Sequence, residues 1–250
     1  MAMLITSSPI PLYYQVASVI RQDIYNGVYT SGDKLPAEEE LARKFEVSRA
    51  TLREALGQLV QAGELVRRHG LGTFVTAKER GRYSHALHGD LDSLVHAASA
   101  NAHVAKQVEV AHNVELPKQV AEQLNLAAGC GTLISRLMTS GDSPFAYHRN
   151  YLPPALGKTI TKRTLASVGV MRAIADAGRE PWRAVQAIRA QAADPELGTR
   201  LGVGPSGPLM ATERVLYDRD DEPLEVVHSW YPGYAYSYQV TFERDRAAKT

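Results

Sequence analysis

The chain has 250 residues, with 28 Lys and Arg against 27 Asp and Glu and a formal net charge of +1. That length suits two domains, and the near-zero balance excludes attraction to nucleic acid through bulk charge, so any such affinity has to come from locally placed arginines. A single cysteine, Cys130, cannot close an internal disulfide, no apolar run approaches the ~20 residues of a membrane-spanning helix, and MAMLITSSPIP has no basic segment ahead of an apolar core, so a cytoplasmic location is expected.

Residues 1–10 read as an irregular lead-in. Pro11 suits the first turn of a helix whose Leu12, Val16, Val19, Ile20 and Ile24 share one face, and Gly27 ends it. Leu35 to Val75 then carries the clearest pattern. Leu41, Ala42 and Phe45 form an apolar edge, and Glu46 and Val47 make a turn too short for anything but a helix-turn-helix. Leu52, Ala55, Leu56, Leu59 and Val60 follow at helical period. Ser48 is placed as N-cap of this second helix, its hydroxyl accepting from the amide of Ala50 or Thr51. Arg49 and Arg53 stand at the helix end whose dipole disfavours cations. Solvated surface arginines are the plain alternative, but an external anion answers the placement. Helix N-termini bind phosphate, and Arg reads guanine bidentately in the major groove. After Gly63, Leu65 to Arg68 and Thr73 to Val75 read as two short strands around His69, Gly70, Leu71 and Gly72, a basic wing.

Residues Gly32 to Val75 resemble the DNA-binding domain of the GntR family of bacterial transcription regulators. GDKLPAE matches its G-x-x-L-P-x-E, VSRATLREAL its V-S-R-x-T-L-R-x-A-L, and RRHGLGTFV its R-x-x-G-x-G-T-F-V wing. The resemblance implies that Ser48, Arg49, Thr51 and Arg53 contact double-stranded operator DNA from the major groove, while His69 and Gly70 at the wing tip approach the minor groove. PLYYQVASVIRQDIYNGVY resembles the family's first helix, which steadies the reader from behind. Two positions depart from the pattern: Ala37 stands where many members have a capping Ser, and Glu39 where some carry a DNA-contacting Arg.

From Thr76 to Gly89 periodicity gives way to charge, which marks a linker. His85, His88, His96, His103 and His112 crowd this part of the chain, but no Cys and no suitably spaced Asp or Glu completes a ligand set, so no metal is expected. Asp90 to Ala98 reads as a short helix, Ala105 to Val114 as a strand through Val108 and Val110, and Pro117 opens a helix with Val120 and Leu124. LISRLMTSGDSPFAYHRNYLP reads as a hairpin, and MATERVLYDRDDEPLEVVHSWYPG repeats its layout. Arg136 and Arg214 each precede a polar turn, Pro144 and Pro223 follow it, and Tyr151 and Tyr231 lie beyond. Between the hairpins come a helix near Val170 to Ala177, a strand near Ala184 to Arg189 and a helix from Asp194 and Pro195, with a last strand at Tyr238 to Glu243. The second domain thus reads as α+β with an antiparallel sheet.

From about Asp90 to Glu243 this arrangement resembles the UTRA effector-binding domain of HutC-type GntR regulators, a fold like that of chorismate lyase. The resemblance implies a small-molecule site. In it, two Arg two residues apart on the first hairpin grip an anion, an acidic residue stands on the return strand, and a Glu and a Tyr come from the second hairpin. Arg136, Glu225 and Tyr231 match these positions, whereas Met138 replaces the second Arg and His148 the acidic residue. Arg136, His148, Glu225 and Tyr231 are therefore the expected effector-binding residues, and a singly charged carboxylate suits one Arg better than a sugar phosphate does.

The main rival is a chorismate-lyase-like enzyme fused to a DNA-binding domain. No G-x-S-x-G elbow and no paired carboxylates support it. Gly202, Gly204 and Gly207 spell G-x-G-x-x-G, yet a helix precedes them, Pro205 interrupts and a β-rich run follows, so they read as a turn. No cofactor and no catalytic residue is expected. An architectural DNA-binding module without a ligand is the second rival, and the matched Arg136, Glu225 and Tyr231 speak against it. The expected organisation is a winged helix-turn-helix at residues 8–77, a linker at 78–89 and the UTRA domain at 90–246. The expected function is that of a repressor which binds a palindromic operator as a homodimer and responds to a small, anionic metabolite.

Overall fold

The computed structural model describes residues 4, 7–76, 83–87, 91, 105–140, 143–166, 168–203, 206–233 and 236–240. They fall into two compact units, Met1–Arg80 and Gly81–Thr250. Among the described residues no helix is long and apolar enough to cross a membrane.

The first unit contains α1 (Leu12–Tyr25), α2 (Glu38–Lys44), α3 (Arg49–Gln61) and the antiparallel pair β1 (Leu65–Arg68) and β2 (Gly72–Val75). Its core joins Val16, Ala17 and Ile20 of α1, Leu41 and Ala42 of α2, and Leu52, Ala55, Leu56 and Leu59 of α3, with Leu65 and Val75 of the wing below them. These are the apolar stripes expected from helical spacing, each burying itself against the other two. Helices α2 and α3 end in the same manner. Past α3, Gly63 takes φ 71°, its amide donates to Val60 and that of Glu64 donates to Leu59, so a left-handed residue closes the helix. Past α2 the left-handed residue is Glu46, at φ 52°, with Val47 donating to Ala42. This fixes the tight turn between the two helices without a glycine. Glu64 is buried, and its carboxylate accepts from Arg21 Nε at 3.0 Å, tying α1 to the start of the wing.

The second unit is built on a six-stranded antiparallel sheet. After β3 (Tyr83–Leu87) and β4 (Ala105–Glu115) come α4 (Lys118–Gln123), β5 (Cys130–Ser140), β6 (Ser143–Leu152), α5 (Pro154–Gly157), α6 (Lys162–Leu165) and α7 (Val170–Asp176). They are followed by β7 (Arg183–Ala192), α8 (Pro195–Leu201), β8 (Pro208–Tyr217), β9 (Pro223–Pro232) and β10 (Tyr236–Val240). Strand order is β4-β5-β6-β9-β8-β7, so the two hairpins β5–β6 and β8–β9 lie side by side through β6 and β9. Because side chains alternate across a strand, the register assigns one face to Ile134, Arg136, His148, Asn150, Leu152, Glu225, Val227, Ser229, Tyr231, Thr212, Arg214 and Leu216. One end of that face is apolar, with Ile134, Leu152 and Leu216 packed against Leu156, Ile160, Leu165, Val170 and Ile174. The opposite face packs Tyr151, Val215 and Val226 on α4, and Tyr147 and Leu209 on Leu197 and Leu201 of α8.

Three expectations change. Residues 83–87, placed in the linker from their charge, form β3, which pairs in parallel with β10 as Tyr83↔Tyr236 through Leu87↔Val240. A parallel partner from the far end of the chain leaves no local signature in the sequence. The last described strand begins at Tyr236, ahead of Tyr238, while residues 241–243 lie outside the described residues. Finally, the two hairpins are not equivalent beyond their turns. Arg136 and Arg214 share a face, but Tyr151 lies opposite Val226 and Tyr231 opposite Met210, which puts the two tyrosines on opposite faces. The helix expected at Asp90 to Ala98 lies outside the described residues apart from Leu91, which is helical.

Candidate DNA-reading surface and effector site

Ser48 caps α3 as expected, its hydroxyl accepting from the Thr51 amide at 3.1 Å and lying 2.8 Å from the Thr51 hydroxyl. The end of the helix is therefore held open, with Arg49 and Arg53 both well exposed. Each already has a carboxylate. Arg49 Nη2 lies 2.9 Å from Glu39 Oε1, and Arg53 Nε donates to Glu38 Oε2 at 2.8 Å. The hydrogen bond to Glu38 holds Arg53 above the ordinary Arg range. Exposed pairs of this kind are weak and screened by salt, so a phosphate can replace the carboxylate at small cost. Arg67 of the wing joins the group, donating to the Arg53 carbonyl at 3.3 Å and standing 4.0 Å from Glu38.

At the wing tip His69, Gly70 and Leu71 are exposed, Leu71 at 60%. Gly72 sits at φ 118°, a backbone conformation that favours glycine, and the atom a Cβ would meet there is the movable end of Lys34, Cε at 2.8 Å. Arg68 stacks over Phe74 at 4.8 Å and stiffens the strand that carries the tip. Ala37 provides no side-chain cap to α2, but Glu38, Glu39 and Glu40 fill its first turn, where the helix dipole favours them.

In the second unit Arg136, His148, Glu225 and Tyr231 share one face of the sheet. Arg136 and His148 are direct cross-strand neighbours, and His148 lies opposite Ser229. His148 Nδ1 is 2.8 Å from Ser229 Oγ, and its ring meets Tyr231 edge-on at 5.8 Å. Asn150 connects the rest: Arg136 Nε donates to its Oδ1 at 3.3 Å, and its Nδ2 donates to Glu225 Oε1 at 2.7 Å. Glu225 is wholly buried. Burial pushes its carboxyl above the usual range against the pull of Arg214, the Asn150 hydrogen bond and Arg136. Burial likewise depresses Arg136, with Glu225 and Tyr231 opposing the shift and Arg214 adding to it. The guanidinium is a cation all the same.

Sequence reasoning did not assign Asn150, Ser229 or Thr212 to this site, nor give Arg214 a part in it. All four follow from register alone once β6 is paired with β9. In the sequence the only trace was that Arg214 repeats the position of Arg136. Met138 is on the same face, but among Phe145, Ala146, Tyr231 and Tyr236, where it is a packing residue.

Of the histidines weighed as metal ligands, His85 lies in β3 and His112 in β4, while His88, His96 and His103 lie outside the described residues. Among the described residues no cluster of three or more His, Cys, Asp or Glu could hold a metal ion. Gly202 is the left-handed residue that ends α8, at φ 63°, and Gly204 and Pro205 lie outside the described residues.

Residues 12–75 match the family model of the bacterial regulatory proteins, gntR family, and residues 99–237 match that of the UTRA domain. The chain is 30% identical over 246 residues to the HTH-type transcriptional regulator Rv0792c of Mycobacterium tuberculosis, covering 96% of this chain and 89% of that one. It is 29% identical over 243 residues to the HTH-type transcriptional repressor NagR of Bacillus subtilis, covering 95% and 97%. The crystal structure of PhnF from Mycobacterium smegmatis superposes with a TM-score of 0.55 at 25% identity, over 92% of this chain and 99% of that one. With the three-helix reader, its wing and the six-stranded sheet in place, the chain belongs to the HutC-type branch of the gntR family, a transcription regulator that joins a DNA-binding winged helix-turn-helix to a UTRA effector domain.

Proposed function

We propose that the protein is a repressor that binds a palindromic operator as a homodimer and leaves it when a small, anionic metabolite occupies the sheet face of the UTRA domain. The observation that carries this reading is the pairing of two features in one chain. One is a capped helix end presenting Arg49 and Arg53 to solvent with Thr51 half-buried beside them; the other is a buried, polar, net-cationic band around Arg136 and Glu225. Ser48, Arg49, Thr51 and Arg53 read the major groove, and His69 and Gly70 follow the minor groove. Arg136, His148, Glu225 and Tyr231 hold the metabolite. A single winged helix spans few base pairs, so two readers related by a two-fold axis supply the missing contacts and set the half-site spacing. The names of relatives agree with repression: one is the NagR repressor, and another, 44% identical over 69 residues, is the histidine utilization repressor of Klebsiella aerogenes.

Catalysis is not part of the proposal. Ser229 and His148 are a hydroxyl and an imidazole at hydrogen-bond distance, but Ser229 is buried in the middle of β9, paired on both sides by β6 and β8. The backbone amides around it are taken up in the ladder, so nothing there forms an oxyanion hole. The test is a gel-shift selection of operator sequences with the full chain, followed by light scattering and a metabolite screen for release. A selected site without two-fold symmetry, or a monomer that binds as tightly, would overturn the dimeric reading.

A further inference from the structure

We propose that Arg214 is the second arm of an anion clamp with Arg136, and that the clamp takes a small carboxylate monoanion bearing a hydroxyl or N–H donor for Glu225. This rests on the effector reading of the same sheet face. The first hairpin has only one suitable guanidinium, since Met138, the position that would carry the other, is packed into an apolar cluster. The second hairpin supplies what the first lacks. Arg214 lies opposite Val227, and Val227 opposite Asn150, so Arg214 stands in the cross-strand row next to that of Arg136, His148 and Ser229, at the far side of β9. Both arginines lie close enough to Glu225 for their charges to act on it.

Two buried atoms in this band have no hydrogen-bond partner among the described residues: Arg214 Nε, a donor, and Glu225 Oε2, an acceptor. A buried donor and a buried acceptor left unmet on one face of the sheet, in adjacent cross-strand rows, are costly unless a ligand meets both. Several other arginines of the domain have their carboxylates, as Arg149 has Glu196, Arg179 has Asp218 and Arg183 has Asp221. With Glu225 ionised between them, the two guanidiniums and one carboxylate leave the band with one positive charge. A monoanion brings it to zero, whereas a phosphate dianion would leave an uncompensated negative charge in a buried site. The free oxygen of Glu225 then calls for a donor on the same molecule. Leu152 and Leu216 flank Glu225 in its own cross-strand row at one end, and Met138, Ala146 and Met210 lie at the other, so apolar side chains bound the band at both ends and favour a ligand of small body.

The experiment uses the full-length chain and four proteins: wild type, Arg136→Met, Arg214→Met and Arg214→Lys, the last keeping the charge without the planar fork. Melting temperature is followed as glycolate, acetate or inorganic phosphate replaces chloride at constant ionic strength up to about 100 mM, each protein being compared with itself in chloride. Glycolate should stabilise wild type more than acetate, which lacks the donor, and more than phosphate. The dissociation constant drawn from the titration should rise by roughly tenfold or more in both Met variants, with Arg214→Lys between. Should Arg214→Met not fold, Arg214→Lys still reads the loss of the fork. If both Arg214 variants titrate like wild type while Arg136→Met does not respond, the clamp is wrong and the effector site stands. Equal responses in all four proteins would remove the site as well. A stronger response to phosphate than to glycolate, or no response of wild type to any of the three, overturns the monoanion clamp.

Discussion

Arg53, on the exposed side of α3, donates to Glu38 of α2 at 2.8 Å, and one turn earlier Arg49 makes the same kind of pair with Glu39. The two arginines are thus held by carboxylates, which DNA phosphate has to displace if these arginines bind the operator as proposed. Glu39 is 65% exposed, so its role is electrostatic. Replacing Glu39 by Gln removes the competitor and a like charge facing the phosphates, and DNA of any sequence should bind several-fold more tightly at matched salt. Arg53→Ala and Arg49→Ala should act the other way, weakening operator binding by about tenfold or more while the fold is kept. Fluorescence anisotropy over a salt series measures both. Weaker binding by Glu39→Gln would instead place that carboxylate on a base edge, such as the N4 amino group of cytosine.

A second pair holds the reader together. Glu64 has no exposed side-chain surface, and both its oxygens accept from Arg21 Nε, at 3.0 and 3.2 Å. Losing Arg21 takes the guanidinium from a buried carboxylate, whereas losing both charges leaves no buried ion behind. Arg21→Met should therefore cost about 3 kcal/mol, near the lower end for such a pair because Arg21 keeps one edge to water. Arg21→Met with Glu64→Gln should recover much of that. Urea denaturation of the four combinations gives the coupling energy directly; additive effects would show that the pair contributes nothing.

The tight turn between α2 and α3 supplies a third expectation. Glu46 adopts φ 52°, a left-handed conformation in which Cβ crowds the backbone. Glu46→Gly should relieve that strain, offset in part by the greater freedom of glycine in the unfolded chain, for a net gain of up to about 1 kcal/mol. A loss of stability on thermal melting would mean that the side chain makes a contact worth more than the strain.

The reader was legible in the sequence because its information is local. Helical spacing picked out Leu52, Ala55, Leu56 and Leu59, all buried, and the cap at Ser48 lies three residues from the amide it accepts from. On the second domain the sequence picked out only residues that match a family pattern, Arg136, Glu225 and Tyr231, and the register places these on one face of the sheet. Asn150, which links Arg136 to Glu225, is an unremarkable residue in a strand until β6 is paired with β9, and that register spans a long stretch of chain. The parallel β3–β10 pair fails for the same reason, as its strands come from opposite ends of the domain. The intramolecular carboxylates of Arg49 and Arg53 also escaped notice: Glu38, Glu39 and Glu40 fill the first turn of α2, and only the packing of α2 on α3 turns two of them toward the arginines.

Glu225 offers a test by pH. Its carboxyl is raised in the folded protein, mainly by burial, with Arg214, Asn150 and Arg136 pulling the other way. A raised folded value means that the fold prefers the protonated acid. The associated stability is complete below the unfolded value of about 4.3 and is lost as pH rises through the folded value. Glu225→Gln mimics the protonated acid at every pH, and its amide oxygen still accepts from Asn150 Nδ2. The difference in stability between wild type and Glu225→Gln should therefore be small near pH 4 and grow in favour of the variant as pH rises, levelling off above the folded value. Taking the difference cancels His148, Tyr231 and the other titrating groups common to both proteins. An anion held between Arg136 and Arg214 would reshape that profile, so the melts belong in chloride buffers without carboxylates or phosphate. Parallel pH profiles for the two proteins would show that Glu225 ionises as freely in the fold as in the unfolded chain, and that the two arginines compensate its burial in full.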